Sequence, residues 1–293
     1  MTGLTEIMSE RRQLINLAYR LLGSLTDAED VVQETYVRWY AMSSREQQAI
    51  ESPGAWLTTV ASRVCLDQLR SARARRERYV GEWLPEPLPD HTETVDDPAD
   101  RVTLDESITM AFLVVLDSMT PAERVAFVLH DVFRYPFAEV AEIVGRAPTA
   151  CRQLASSARR RIRASQPAQA PPAQHADVVR AFKQAWEAKD IEALIGLLDP
   201  DVTATADGGG LVTAVLHPIE GAERIARYLV EIASRTPEVT ILERQVNGQP
   251  GLVGQQDGAT VMVAAFDVVG NRIKHIWGVR NPEKLRQWKT PGH

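Results

Sequence analysis

The chain has 293 residues, 25% of them charged and 44% apolar, with a formal net charge of −6. That length suits two domains or three small ones, and the composition is that of a globular chain. A net negative charge excludes a uniformly basic nucleic-acid binder, and no run approaches the roughly 18 apolar residues of a membrane span. The start (MTGLTEIMSERRQ) lacks an apolar signal core, and Cys65 and Cys151 sit inside amphipathic helical patterns as small hydrophobes. A reduced, cytoplasmic protein without a membrane segment is therefore expected.

The total charge conceals a pattern. Six arginines fall between Arg63 and Arg78, and six more (Arg146, Arg152, Arg159, Arg160, Arg161, Arg163) fall near the end of a second helical region. Between them, residues 81–100 carry seven acidic groups and no Lys or Arg, while all five lysines occur from Lys183 onward. Two basic faces are separated by an acidic tether.

In chain order, residues 8–22 give an amphipathic helix ended by Gly23. Thr26 and Glu29 read as a capping box opening DAEDVVQETYVRWY, with Ala28, Val31, Val32, Thr35, Tyr36 and Trp39 as the buried stripe. Asp30, Gln33, Glu34 and Arg38 share its solvent side. Pro53 starts a third helix that buries Leu57, Val60, Ala61, Val64 and Leu69 and crowds its arginines into the distal half. Then comes WLPEPL, Trp83 to Leu88: Pro85 and Pro87 forbid a helix and predict an extended path, yet Trp83, Leu84 and Leu88 are unusual on a solvated tether. From about Val102 a second helical region follows, in which Thr120-Pro121-Ala122-Glu123 is a capping box with proline at the first helical position. FAEVAEIVGRAPTACRQLAS fits helix-turn-helix spacing, with Ala141, Gly145, Cys151 and Leu154 at the packing positions. Its second helix buries Cys151, Leu154, Ala155, Ala158 and Ile162, leaving Arg152, Gln153, Ser156 and Arg160 outward with Arg159, Arg161 and Arg163 beside them. SQPAQAPPAQ is a linker. Beyond it, two helices lead into strand-like VTATAD and LVTAVLH, a helix GAERIARYLVEIAS, and three strand-like runs (VTILERQV, TVMVAAFDVV, RIKHIWGVRN) with Asn-Gly and Asp-Gly turns. This order predicts helices beside a curved antiparallel sheet, an α+β cone.

DAEDVVQETYVRWY, AWLTTVASRVCLDQLR and the helix-turn-helix resemble regions 2 and 4 of an extracytoplasmic-function (ECF) RNA polymerase sigma factor over about residues 8–165. Residues 175–293 resemble the SnoaL-like (NTF2-like) fold. The subgroup joining the two carries three short signatures: WLPEPL is intact here, DGGG is Asp207–Gly210, and NPEKL at Asn281–Leu285 is similar to its NPDKL. Leu211 stands where a lysine commonly follows the glycines. The fold implied is a mainly α N-terminal half, two helical sigma domains with a helix-turn-helix in the second, plus an α+β SnoaL/NTF2-like cone. Its expected divisions are 1–80 (region 2), 81–101 (acidic linker), 102–165 (region 4), 166–174 (linker) and 175–293 (regulatory domain).

The resemblance implies a sigma factor that binds core RNA polymerase and promoter DNA, regulated in cis by its C-terminal domain. Asp30, Gln33, Glu34 and Arg38 would meet the β′ clamp helices. Trp56, Arg63, Arg70, Arg73, Arg75 and Arg76 would serve the minus-ten DNA, the arginines as salt-sensitive phosphate contacts. Arg152, Gln153, Ser156 and Arg160 would face the minus-thirty-five element, region 4 also touching the β flap; a good bidentate base contact is worth about 1–3 kcal/mol. Trp83, Leu84, Pro85, Glu86, Pro87 and Leu88 are expected to dock on Asp207, Gly208, Gly209, Gly210 and on Asn281, Pro282, Glu283, Lys284, Leu285. The bland alternatives are a solvated helix face, arginines for solubility, Trp56 as core and WLPEPL as a rigid spacer. The rival function is a one-component DNA-binding regulator independent of polymerase, with a ligand-sensing C-terminal pocket. A third is an isomerase- or cyclase-like enzyme drawing on Asp207, His217 and Asp267. No HExxH, CxxC, Walker A or G-x-S-x-G motif is present, so no catalytic residue, metal or cofactor is expected. A small-molecule ligand in the C-terminal domain and a monomeric free protein complete the expectations.

Overall fold

The computed structural model describes residues 2–76, 79–89, 108–165 and 170–288. The chain divides into two compact units, one of residues 1–77, 96–105 and 113–165, the other of 78–95, 106–112 and 166–293. WLPEPL thus clusters with the C-terminal residues.

In the first unit, α1 (Thr2–Leu22), α2 (Leu25–Tyr40) and α4 (Pro53–Arg76) pack on one another, with a short α3 (Ser44–Gln48) between them. Leu14, Ile15, Tyr19, Val31, Ala61 and Cys65 are buried there because they recur on one face of each helix. The start of α2 differs from the sequence expectation: Ser24, not Thr26, is the cap, and its Oγ accepts from Asp27 N at 3.2 Å. Gly23, at φ 71°, ends α1 and delivers Ser24 already extended, so the helix opens two residues early and Thr26 falls in its first turn. After α5 (Met110–Asp117), α6 (Pro121–Phe127) begins at the predicted Thr120–Glu123 box and runs into a π-helical turn (Val128–Val132). The helix-turn-helix is α7 (Phe137–Val144) and α8 (Pro148–Ser165), closed at Gly145. Both pack with α6, and α4 packs on α6 and α7.

In the second unit, α9 (Pro172–Glu187) starts inside the stretch read as a linker, because Pro172 occupies a first-turn position where its missing N–H costs nothing. Then follow α10 (Ile191–Leu197), β1 (Leu198–Asp207), β2 (Ile219–Glu220), α11 (Ala222–Arg235), β3 (Thr240–Val246), β4 (Gln249–Gln256), β5 (Ala259–Val269) and β6 (Arg272–Val279). They form a six-stranded sheet in the order β2-β1-β6-β5-β4-β3. The sheet is mixed rather than wholly antiparallel, since β1 runs parallel to β6. LVTAVLH is not a strand: its residues form a loop with Leu211 and Leu216 more than half exposed. Conversely QPGLVGQQ, passed over in the sequence, is β4, held between two neighbours despite Pro250, Gly251 and Gly254.

Phe182, Leu194, Val202, Ile225, Leu252, Phe266 and Ile276 build the core between the helices and one sheet face. The other face is buried too, through Val253, Val263, Ala265 and Trp277. That two-sided burial explains why β5 reads as a continuous apolar run instead of alternating.

Candidate functional site

The prolines of WLPEPL hold residues 82–88 in irregular extended backbone. Alternation along β1 carries Ala204 and Ala206 to the inner face, so Asp207 points to the other one. There its fully buried carboxylate accepts from Tyr79 Oη at 2.6 Å, Leu84 N at 2.9 Å, Gly209 N at 3.0 Å and Lys284 Nζ at 2.6 Å. The same ammonium donates to the Leu84 carbonyl and lies 4.1 Å from the centroid of the Trp83 ring. Asn281 completes the cluster: its Nδ2 donates to Tyr79 Oη at 2.9 Å, and its N–H and that of Arg280 donate to the Asp207 carbonyl. Burial, then the hydrogen bond to Asp207, push the Tyr79 phenol well above its ordinary pKa, so it stays a donor.

The far end of the segment is pinned separately. Leu88 exchanges bonds with Asn247, donating to Oδ1 at 3.2 Å and accepting from N at 2.9 Å, and Pro89 bridges Val246 in antiparallel sense. Trp288 Nε1 donates to the Pro87 carbonyl at 2.8 Å. Leu84, Glu86 and Leu88 are buried to 4% exposure or less. Prolines at 85 and 87 remove N–H groups that such burial would have to satisfy, while the N–H groups of Leu84 and Leu88 both find acceptors. Of the expected partners, Asp207 and Lys284 contact WLPEPL directly, Asn281 joins them through Tyr79 and the Asp207 carbonyl, and Leu285 is buried. Tyr79, Asn247 and Trp288 were missed. Tyr79 is embedded in the arginine run, Asn247 reads only as half of an Asn-Gly turn, and Trp288 lies outside NPEKL.

The glycines of DGGG follow from crowding. Gly209 has φ 63°, and a Cβ on it would overlap the Asn281 amide; one on Gly208 would overlap the Val212 carbonyl. Gly209→Ala should lower stability by about 1–3 kcal/mol, whereas Gly258→Ala, at φ 78° with open space around it, should pay only the smaller backbone cost of roughly 1 kcal/mol. Thermal unfolding of the two variants checks this; equal losses would show that the Asn281 clash is relieved cheaply. Leu211 is 59% exposed, and the cation that meets Asp207 comes instead from Lys284.

On the first unit, Asp30, Gln33, Glu34 and Arg38 are exposed along α2, with Arg38 bonded to Glu34 at 2.5 Å. Trp56 is half-buried and meets the Trp39 ring edge-on at 5.3 Å. Arg63 Nη2 donates to the Glu142 carbonyl of α7 at 3.2 Å, and Arg70 pairs with Asp67. The side chains of Arg73, Arg75 and Arg76, and the acidic stretch from Asp90, lie outside the described residues. Arg152, Gln153, Ser156 and Arg160 are exposed along α8. Arg159 departs from that face: it is turned to Asp131 at 2.7 Å. Arg124, 3% exposed, fastens the two helical parts together, donating to the Leu21 carbonyl at 2.8 Å and to Asp117 at 2.7 Å.

The residues weighed for catalysis do not converge. None of Asp207, His217 or Asp267 lines the cavity of the second unit. Asp267 faces His275 Nδ1 at 3.3 Å, its neighbour in strand register, and His217 is exposed. Among the described residues no group of three or more His, Cys, Asp or Glu is placed to hold a metal, and no helix is long and apolar enough to cross a membrane.

Comparison with known proteins gives matches to Sigma-70 region 2 over residues 7–75 and to Sigma-70, region 4 over residues 109–162. The ECF RNA polymerase sigma factor SigJ of Mycobacterium tuberculosis (strain ATCC 25618 / H37Rv) is 39% identical over 295 residues, 96% of this chain and 92% of that one. The probable ECF RNA polymerase sigma factor SigI of M. tuberculosis (strain CDC 1551 / Oshkosh) is 36% identical over 280 residues, 94% and 92% of the two chains. The crystal structure of M. tuberculosis SigJ superposes with a TM-score of 0.77 at 36% identity, covering 97% of this chain and 99% of that one. With both sigma regions in place and relatives of this identity spanning nearly its whole length, the chain belongs to the ECF RNA polymerase sigma factors, which direct transcription initiation.

Proposed function

We propose that the SnoaL-like unit regulates this sigma factor in cis, with WLPEPL as the docked element. The observation that carries the reading is the Asp207 carboxylate, fully buried and holding Tyr79, Leu84 N and Lys284 in one cluster. Intramolecular docking works at an effective concentration near ~1 mM, so a contact of only ~10 μM would be closed about 100-fold, roughly 2.7 kcal/mol. A signal that releases it frees the linker between regions 2 and 4. The exposed polar face of α2 (Asp30, Gln33, Glu34, Arg38) suits the β′ clamp helices. Trp56 and the arginines of α4 suit the minus-ten element, and the outer face of α8 suits the minus-thirty-five element, with region 4 on the β flap. The factor acts in the cytoplasm, free as a monomer.

The second unit is regulatory rather than catalytic in this reading. Asp207, weighed as a base, is engaged by four donors away from the cavity, and among the described residues the one carboxylate lining the cavity, Glu187, is exposed and paired with Lys183 at 3.0 Å. With the family shown, a polymerase-independent regulator is not favoured. Run-off transcription with core polymerase tests the assignment: the full chain should give a promoter-specific transcript, and Asp30→Lys with Glu34→Lys should abolish it while leaving the fold intact. Duplex DNA binding without any polymerase-dependent transcript would overturn it.

A further inference from the structure

The second unit is a cone that its own side chains do not fill. A cavity of 390 Å³ lies between α11 and the inner sheet face, within the range of small-molecule sites. Its floor is a row of small residues in strand register, Ala206–Gly278–Ala264 across β1, β6 and β5. A Cβ on Gly278 would meet nothing nearer than the Thr205 carbonyl at 3.9 Å. The walls are large and apolar, yet Leu229, Ile232, Ile241 and Met262, all turned inward, remain only half-buried. Folded interiors are normally packed, so apolar side chains facing an unfilled, open volume gain from an apolar occupant.

One end of the cavity is polar and cationic. Arg280 lines it, and of the five N–H donors of a guanidinium one is bonded to the Thr213 carbonyl at 2.5 Å. Tyr228 lines the same cavity, and its phenol, which burial raises above its ordinary pKa while the Arg280 charge opposes the rise, stays a neutral donor. The other charges around the cavity largely cancel. Glu187 pairs with Lys183, Glu231 with Arg235 at 3.6 Å, and Lys189 is exposed at the rim.

We infer that this cavity binds a small amphiphilic carboxylate, its apolar body between α11 and the Ala206–Gly278–Ala264 floor and its carboxylate on Arg280 and Tyr228. A planar guanidinium in a largely apolar site selects a carboxylate over an alcohol of the same length through a charge-assisted, two-point contact. The cavity is distinct from the linker dock, since neither Trp83 nor Lys284 lines it, although the two meet at Arg280, whose backbone N–H donates to the Asp207 carbonyl. Its failure would leave the sigma reading untouched.

Isothermal titration of the full chain with decanoate, decan-1-ol and decylammonium tests it without polymerase or DNA. Decanoate should bind one per chain, decan-1-ol roughly 10- to 100-fold more weakly, and decylammonium weakest. Gly278→Leu should fill the floor and abolish binding of both decanoate and the alcohol. Arg280→Gln should bring decanoate down to the affinity of the alcohol, a difference read even if Gly278→Leu fails to fold. The inference is overturned if decanoate does not bind, if decylammonium binds as well, if binding survives Gly278→Leu in a chain that melts like the parent, or if the preference for decanoate survives Arg280→Gln.

Discussion

Asp207→Ala should destabilise the second unit by about 3–5 kcal/mol, the cost of stripping one partner from a buried ion pair. Lys284 is left with its ammonium buried beside the Leu84 carbonyl and the Trp83 ring, and the Tyr79 hydroxyl and Leu84 N–H lose their acceptor. Removing both charges, as Asp207→Leu with Lys284→Met, should cost less than the sum of the single changes, because the uncompensated charge disappears while the loss at Tyr79 and Leu84 remains. Urea unfolding of the two singles and the double gives the coupling directly. An additive cycle would show that the 2.6 Å pair contributes nothing beyond its separate residues.

A comparable effect is expected in the first unit at Arg124. It is 3% exposed and holds the Leu21 carbonyl at the end of α1 and the Asp117 carboxylate at the end of α5, so Arg124→Leu removes charge-assisted bonds worth about 1.5–3 kcal/mol. Arg124→Lys should recover only part, since an ammonium cannot fork to both acceptors as a guanidinium does. The two units need not unfold together, so the readout is amide hydrogen exchange in α1 and α6, expected to be roughly 10- to 150-fold faster in Arg124→Leu. Unchanged exchange in both helices would mean that apolar packing alone holds region 2 to region 4 in the free chain.

The periodic elements were legible because their signals are local. Pro53, the Thr120–Glu123 box and the Gly145 turn each announce themselves within a few residues, and the helices they bound formed where expected. What escaped was settled by partners far along the chain. QPGLVGQQ becomes β4 only because β3 and β5 supply both sets of hydrogen bonds, overriding its poor strand composition. LVTAVLH alternates like a strand but has the crowded Gly208–Gly209 turn before it and the Arg280–Thr213 bond across it, and it stays a loop. The parallel pairing of β1 with β6 depends on the connection between them, which alternation cannot report.

The docking cluster was half legible in the same sense. Short signatures pointed to Asp207, Asn281 and Lys284, while Tyr79, Asn247 and Trp288, each giving a hydrogen bond to the segment or its anchor, carried no pattern of their own. Arg63 and Arg159 show the converse. Arg63, which the resemblance gives to the minus-ten DNA, and Arg159, read only as lying beside the outer face of the second helix, make structural contacts to Glu142 and Asp131 in the free chain.

The measurement that bears most directly on cis regulation is run-off transcription with core polymerase, comparing the full chain with Trp83→Ala. Trp83 covers the Lys284 ammonium at 4.1 Å and is not itself among the residues assigned to polymerase or promoter, so its loss should loosen the linker without altering either sigma surface. The account predicts a transcript from both proteins on the same promoter, with its yield changed severalfold by Trp83→Ala and its start site unchanged. Identical yields from two equally stable proteins would contradict it and leave WLPEPL a spacer.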